Sequence, residues 1–217
     1  AGKQYVEEGR PRGKTSFQEL LSATSGADTG ELSARFHLVA PDGKVLGSET
    51  QKFVFHADDQ GRTIDCEFTI KATSGPVKLG DTKEGTFAIR VVHSLRESEG
   101  AVMLSSEGGR GEEEIWGKRA EWVDYSGTVE GESLGIAIFD HPRNPKHPTY
   151  WMARGYGLFA ANPFGEQHFY KDPSRDGSLT IPEGEALTLR YRVVIHSGNA
   201  GEAGIAERYK SYQESIP

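Results

Sequence analysis

Residues 32–73 read LSARFHLVAPDGKVLGSETQKFVFHADDQGRTIDCEFTIKAT, and this stretch decides the fold. In its last third Ile64, Cys66, Phe68 and Ile70 alternate with Asp65, Glu67, Thr69 and Lys71. A period of two is that of a strand with one face on a core and one in water. Leu32–Ala40 alternates likewise, with Ala34, Phe36 and Leu38 opposite Arg35 and His37, and Val45–Ala57 carries Phe53 and Phe55 inward. Pro41-Asp42-Gly43-Lys44 joins the first two segments, its proline presetting φ and its Asp-Gly tolerating positive φ. Asp58-Asp59-Gln60-Gly61 makes the second turn. Strands joined this tightly predict an antiparallel meander.

The same reading extends outward. Lys14–Thr24 is a candidate first strand, preceded by a polar, glycine-bearing arm over 1–13. Phe87, Ile89 and Val91 alternate, and so do Leu134, Ile136 and Ile138. Residues 94–114 are rich in Gly, Ser and Glu and read as an exposed loop with a short strand at 101–105, Glu112-Glu113-Glu114 forming a solvated face. Trp116–Val129 reads as the entry to a strand pair. Leu187, Leu189, Tyr191, Val193 and Ile195 alternate with Thr188, Arg190 and Arg192, and Gly201–Ser215 is the one good helix, with Ile205, Tyr209 and Tyr212 at helical spacing. Regular turns between many short strands predict an all-β protein: an antiparallel β-sandwich with one C-terminal helix, a single domain over 14–217 and no internal repeat.

Composition narrows the partners. The 217 residues carry a net charge of −7, and no basic cluster is long enough to neutralise several phosphates, so nucleic acid is excluded as an expected partner. Mean hydropathy is −0.57 and no apolar run approaches the ~18 residues of a membrane span. Cys66 is the only cysteine, which excludes an internal disulfide, and its place in an apolar strand phase predicts a buried thiol. The sequence begins at Ala1 and not Met, as a processed or trimmed product would, and the compartment stays open, a periplasmic or secreted one being favoured over a cytoplasmic one.

The stretch outside every periodicity is Phe139–Gly165, FDHPRNPKHPTYWMARGYGLFAANPFG. Pro142, Pro145 and Pro148 fix φ and remove backbone donors, so 142–148 is expected to be a stiff loop. Loops carried by rigid scaffolds are where binding and catalytic groups concentrate. The plain alternative is a loop that covers a sheet edge, its histidines satisfying backbone carbonyls.

Two segments carry a resemblance: GDTKEGTFAIRV at 80–91, and WVDYSGTVEG followed by GIAIFDHPRNPKHPTYWMARGYGLFAANPFG over 122–165. They resemble the bacterial family labelled methane oxygenase PmoA-like, a domain of unknown function, and TLRYRVVIHSG near the C-terminus fits it too. The resemblance covers most of the chain from Leu32 onward. It implies a galactose-mutarotase-like supersandwich and a carbohydrate setting, while the family label implies a metal-dependent oxygenase. It also implies an N-terminal segment with its own Asp-His-Pro-His-His motif, which this sequence lacks.

Acid/base chemistry on a sugar needs a base, an acid and a cleft lined by aromatic and polar groups. His141 and His147 are the candidate acid and base, with Asp140 or Asp124 orienting an imidazole, and Glu84 beside Lys83 is a further candidate base. Trp151 and Trp122 suit stacking on a sugar ring, and Arg90, Arg154 and Asn162 suit its hydroxyls. Each has a structural reading beside it: a turn ion pair for Lys83 and Glu84, a solvent-facing Arg90, a core Trp122. The expected cleft lies between 81–90 and 140–164 and takes a small-molecule carbohydrate, as an epimerase, lyase or hydrolase would, without a cofactor. Asp140, His141 and His147 also make a two-histidine, one-carboxylate set. Adjacent residues on an extended strand end face opposite ways, however, so His168 would be needed as a third ligand. A non-catalytic binding sandwich is the remaining reading, and a homo-oligomer stays open.

Overall fold

A computed structural model describes residues 12–58 and 61–214. Most of the expected arm and the Asp59-Gln60 tip of the second turn lie outside the described residues. The meander forms as its alternation predicts: β1 (Lys14–Ser25), β2 (Thr29–Val39), β3 (Val45–Asp58) and β4 (Gly61–Ala72) pair antiparallel in sequence order. Two short strands follow, β5 (Val77–Leu79) and β6 (Phe87–Arg90). Then come β7 (Val102–Ser105), β8 (Trp122–Val129), β9 (Glu132–Asp140), β10 (Tyr150–Ala153), β11 (Leu158–Asn162), β12 (Leu179–Ile181) and β13 (Ala186–Ser197).

The long sheet has eight strands in the order β1-β2-β3-β4-β13-β9-β8-β7. Against one face of it lies the three-stranded sheet β10-β11-β6, while β12 and β5 form a separate pair. The core is the layer between these sheets, where Cys66, Leu189, Tyr191, Val193, Ile138, Val123 and Tyr125 meet Trp151, Ala153, Phe159 and Ala161. Burying both inner faces explains why apolar residues recur at every second position of β4, β9 and β13.

The opposite, outer face of the long sheet is divided. Over β8, β9 and β13 it is apolar, and α3 (Ile205–Glu214) lays Ile205, Tyr209 and Tyr212 against Trp122, Ala137, Phe139 and Val194. Over β2, β3 and β4 the outer side chains are polar apart from a few such as Val54, and α3 reaches this part of the face through Tyr212, beside Asp65 and Glu67.

The C-terminal helix is present as expected, and two shorter ones join it: α1 (Gly111–Ile115) and α2 (Glu166–Tyr170). The first corrects the reading of 94–114 as loop. Glu112 is not simply solvated: its carboxylate binds Arg154 Nη1 at 2.6 Å and the Gly155 N–H at 2.7 Å, tying α1 to the end of β10. Helices of one turn are too short for an apolar stripe, so periodicity cannot find them.

Candidate functional site

The loop after β9 is built around Asp140. Its Oδ2 accepts from the Thr149 N–H at 2.9 Å and faces His147 Nδ1 at 2.8 Å, while its Oδ1 accepts from Asn144 Nδ2 at 2.8 Å. Asp140 is buried, and the His147 side chain keeps 16% of its surface exposed. A carboxylate on Nδ1 fixes the ring and its tautomer, leaving Nε2 as the free pole. Asn144 continues past the end of β9 like one more strand residue. It donates to the Arg190 carbonyl at 2.6 Å and accepts from the Arg190 N–H at 2.7 Å.

His141 faces the other way, as adjacent residues on a strand end must. The Arg143 N–H donates to its Nδ1 at 3.0 Å, so the ring proton belongs on Nε2, which is buried and meets no acceptor among the described residues. Its ring stands edge-on to Tyr212 at 5.2 Å. Burial, followed by the charges of Arg190 and Arg143, lowers its pKa to about 4. At neutral pH it is therefore an uncharged hydrogen-bond donor, and it is not placed as a base.

The other candidates separate. Trp151 is fully buried in the core, its indole N–H donating to the Ala120 carbonyl at 2.9 Å, so it cannot stack on a ligand. Trp122 lies under α3. Asp124 is buried on the outer face and paired with His196 Nε2 at 2.7 Å, three register positions from Asp140 and on the opposite face of the sheet. Arg154 is held by Glu112 and lies 5.0 Å over the Trp116 ring. Arg90 lies over Tyr156 at 5.3 Å, and Lys83 and Glu84 form an exposed pair at 3.9 Å. Asn162 is fully buried and acts as a clamp, donating to the Thr82 carbonyl at 2.8 Å and accepting from the Phe164 N–H at 2.9 Å.

These contacts close the expected cleft. β6 and β11 pair directly, Arg90 opposite Leu158 and Phe87 opposite Ala161, and the Thr82 N–H donates to the Phe164 carbonyl at 2.9 Å. Segments 81–90 and 158–164 are thus one hydrogen-bonded unit and not two walls.

The concavity that adjoins the loop lies instead on the polar outer face. It has a volume of about 190 Å³, with Lys52, Asp65, Glu67, Arg190 and Tyr212 in its lining and the backbone of β4 and β13 below. Its charges are pinned in pairs. Arg192 grips Asp65 through two bonds of 2.6 and 2.8 Å, Arg190 holds Glu67 at 2.9 Å, and Lys52 holds Glu31 at 2.9 Å. His56 adds a contact to Asp65 at 3.1 Å. Bidentate geometry of this kind gives orientation as well as attraction. The loop borders the cavity through two contacts already described, His141 on Tyr212 and Asn144 on Arg190. Sequence reasoning saw these strand residues only as a wet face, because nothing in sequence sets Arg190 beside Glu67.

Among the described residues no three His, Cys, Asp or Glu side chains converge to hold a metal ion. The profile of a family described as Family of unknown function (DUF6807) matches residues 2–210. The chain belongs to the DUF6807 family. No curated protein matches it. Among solved structures it is similar to a galactose mutarotase-like protein from Lactobacillus casei ATCC 334, at 11% identity and a TM-score of 0.40 over 81% of this chain and 72% of that one. It is also similar to a galactose mutarotase-like protein from Clostridium acetobutylicum, at 10% identity and a TM-score of 0.42 over 85% of this chain and 67% of that one. Likeness at this level assigns no residue role and no substrate to this DUF6807 member. The methane-oxygenase label, and the oxygenase reading with it, finds no support in these comparisons.

Proposed function

We propose that this protein binds a neutral, polyhydroxylated small molecule, a carbohydrate of monosaccharide size, in the cavity over β3, β4 and β13. One observation carries the reading: two cations, Lys52 and Arg190, and two carboxylates, Asp65 and Glu67, line one small cavity and cancel in charge. A lining without net charge gains nothing from an ionic ligand. Pinned donors and acceptors side by side suit vicinal hydroxyls, each of which gives one hydrogen bond and takes another. The volume of about 190 Å³ lies below the roughly 300 Å³ where drug-sized sites begin, which sets the size.

A panel of neutral monosaccharides titrated into isotope-labelled protein tests this. Amide shifts confined to Val54, Asp65–Glu67 and Arg190–Tyr191, and weakened about tenfold or more in Glu67→Gln, are the expected result. A panel that moves no amide on β4 or β13 rejects it.

A second reading, proton transfer to or from a sugar held at the loop after β9 and not in this cavity, whose lining does not include His147, is favoured by the Asp140–His147 pair, whose Nε2 is left free for a substrate proton. Exchange between the anomers of a bound sugar, followed by NMR, separates the two readings. Turnover lost in His147→Gln with binding retained supports an acid/base enzyme; unchanged exchange leaves a binding protein.

A further inference from the structure

The long sheet is wider than the sheet that packs on it. The three-stranded sheet covers the inner face over β4, β13, β9 and β8, and Phe53 on β3 is the last meander residue packed against the core. Beyond it the inner face is open and mostly apolar, with Glu49 and Gln51 of β3 its polar members opposite Phe36 and Ala34. Register places Phe17 opposite Phe36, Leu20 opposite Ala34, and Ala23 opposite Leu32, which is opposite Phe53. Phe17 is 59% exposed, Leu20 56%, and Leu32 and Phe55 42% each. Scattered exposed apolar residues need no explanation, but a contiguous apolar sheet face marks an interaction surface.

We infer that this face is a homodimer interface, the inner faces of β1, β2 and β3 from two copies packing on each other about a two-fold axis. An isologous contact needs a surface that is its own complement. Glu49 is the one charged side chain among the described residues of this face, and it is engaged by Gln51 Nε2 at 3.1 Å. Apolar sheet faces packing face to face at about 10 Å are the sandwich geometry this chain already uses in its core. The size fits as well. Three strands of 12, 11 and 14 residues, at about 4.8 Å spacing and about 3.4 Å per residue, present roughly 600 Å² per copy. Two copies bury roughly 1,200 Å², past the ~1,000 Å² a specific interface needs. Residues 1–11 are a poorer occupant, since Tyr5 and Val6 are their only large apolar side chains.

Sedimentation equilibrium of the 217-residue protein from micromolar to millimolar concentration tests this. The expected result is a monomer–dimer equilibrium that Leu20→Glu weakens about tenfold or more, the circular dichroism and melting curve staying those of the parent because Leu20 is already exposed. Leu20→Cys joined by a short bis-maleimide is the second measurement. Rapid dimeric cross-linking there, and none at Thr24→Cys on the opposite face of the same strand, supports the interface. A monomer throughout, a dimer that Leu20→Glu leaves intact, or a stronger cross-link at Thr24→Cys overturns it. So does a monomer whose β1 and β2 amides shift only when residues 1–11 are deleted, which would make those residues the occupant.

Discussion

The imidazole of His196 lies across Gly135, so near that a Cβ on that glycine would stand 2.3 Å from the ring's Cε1. Register makes the two residues neighbours on β13 and β9, and the ring crosses Gly135 to reach Asp124 on β8 at 2.7 Å. Both partners are fully buried. Gly135→Ala must push the ring away and strand the carboxylate, whose other oxygen already has no partner among the described residues. The expected loss is about 3 kcal/mol or more, roughly 10 °C in melting temperature. Gly80→Ala, where an added Cβ would meet nothing within 4 Å, is the control and should melt as the parent does.

Stability should depend on pH through His141. Its folded pKa, lowered to about 4, lies below that of the unfolded residue near 6.5. Between those values the unfolded chain binds a proton that the folded protein refuses, so acid favours unfolding. The contribution is fully present above about pH 6.5 and is lost as pH falls to about 4, amounting to roughly 3 kcal/mol. Urea melts of the parent and of His141→Gln across this window should diverge toward neutral pH. Parallel curves would show that His141 does not titrate abnormally.

Trp151→Phe should act on stability and not on ligand binding. The substitution removes the indole N–H from the Ala120 carbonyl and shrinks a packed core side chain, a loss of about 2–3 kcal/mol by melting. Affinity for any sugar bound in the outer cavity should stay within about twofold, since the core sheet separates the two. A tenfold loss would return Trp151 to the ligand site.

Asn144→Ala should weaken both the loop and the cavity. Its side chain satisfies Asp140 Oδ1 and both backbone groups of Arg190, all of which lose a partner together. About 2–4 kcal/mol of stability is at stake by urea melts. Sugar affinity, read in the same NMR titration, should fall as well, because the Arg190 guanidinium holding Glu67 hangs from that backbone. Asn144→Asp keeps the acceptor but sets a second carboxylate beside Asp140, and should recover neither.

How much of this was readable in sequence follows from its physics. β4 and β13 announced themselves because burial of one face writes an alternation into every buried strand. The stiff loop was legible from its prolines, and the Asp140–His147 pair from its residue types. The cavity was not. Asp65 and Arg192 are separated by 127 positions, and their meeting depends on the register between β4 and β13, which local pattern does not encode. Trp151 misled for the same reason: four residues of β10 are too few to display a period, so a core tryptophan looked like a loop aromatic. Glu112 misled because a charge run shows no sign of the arginine it will meet.

Cys66, the chain's only cysteine, is buried between the sheets, and burial, helped by the Asp65 carboxylate, pushes its thiol up to about 12. Thiol reagents attack the thiolate, which this residue does not form at neutral pH. The native protein is therefore a silent host for spectroscopic labels. A cysteine placed on either face of the meander would be the sole site to take a spin label or fluorophore. Distances across the wide sheet can then be measured with Cys66 left in place.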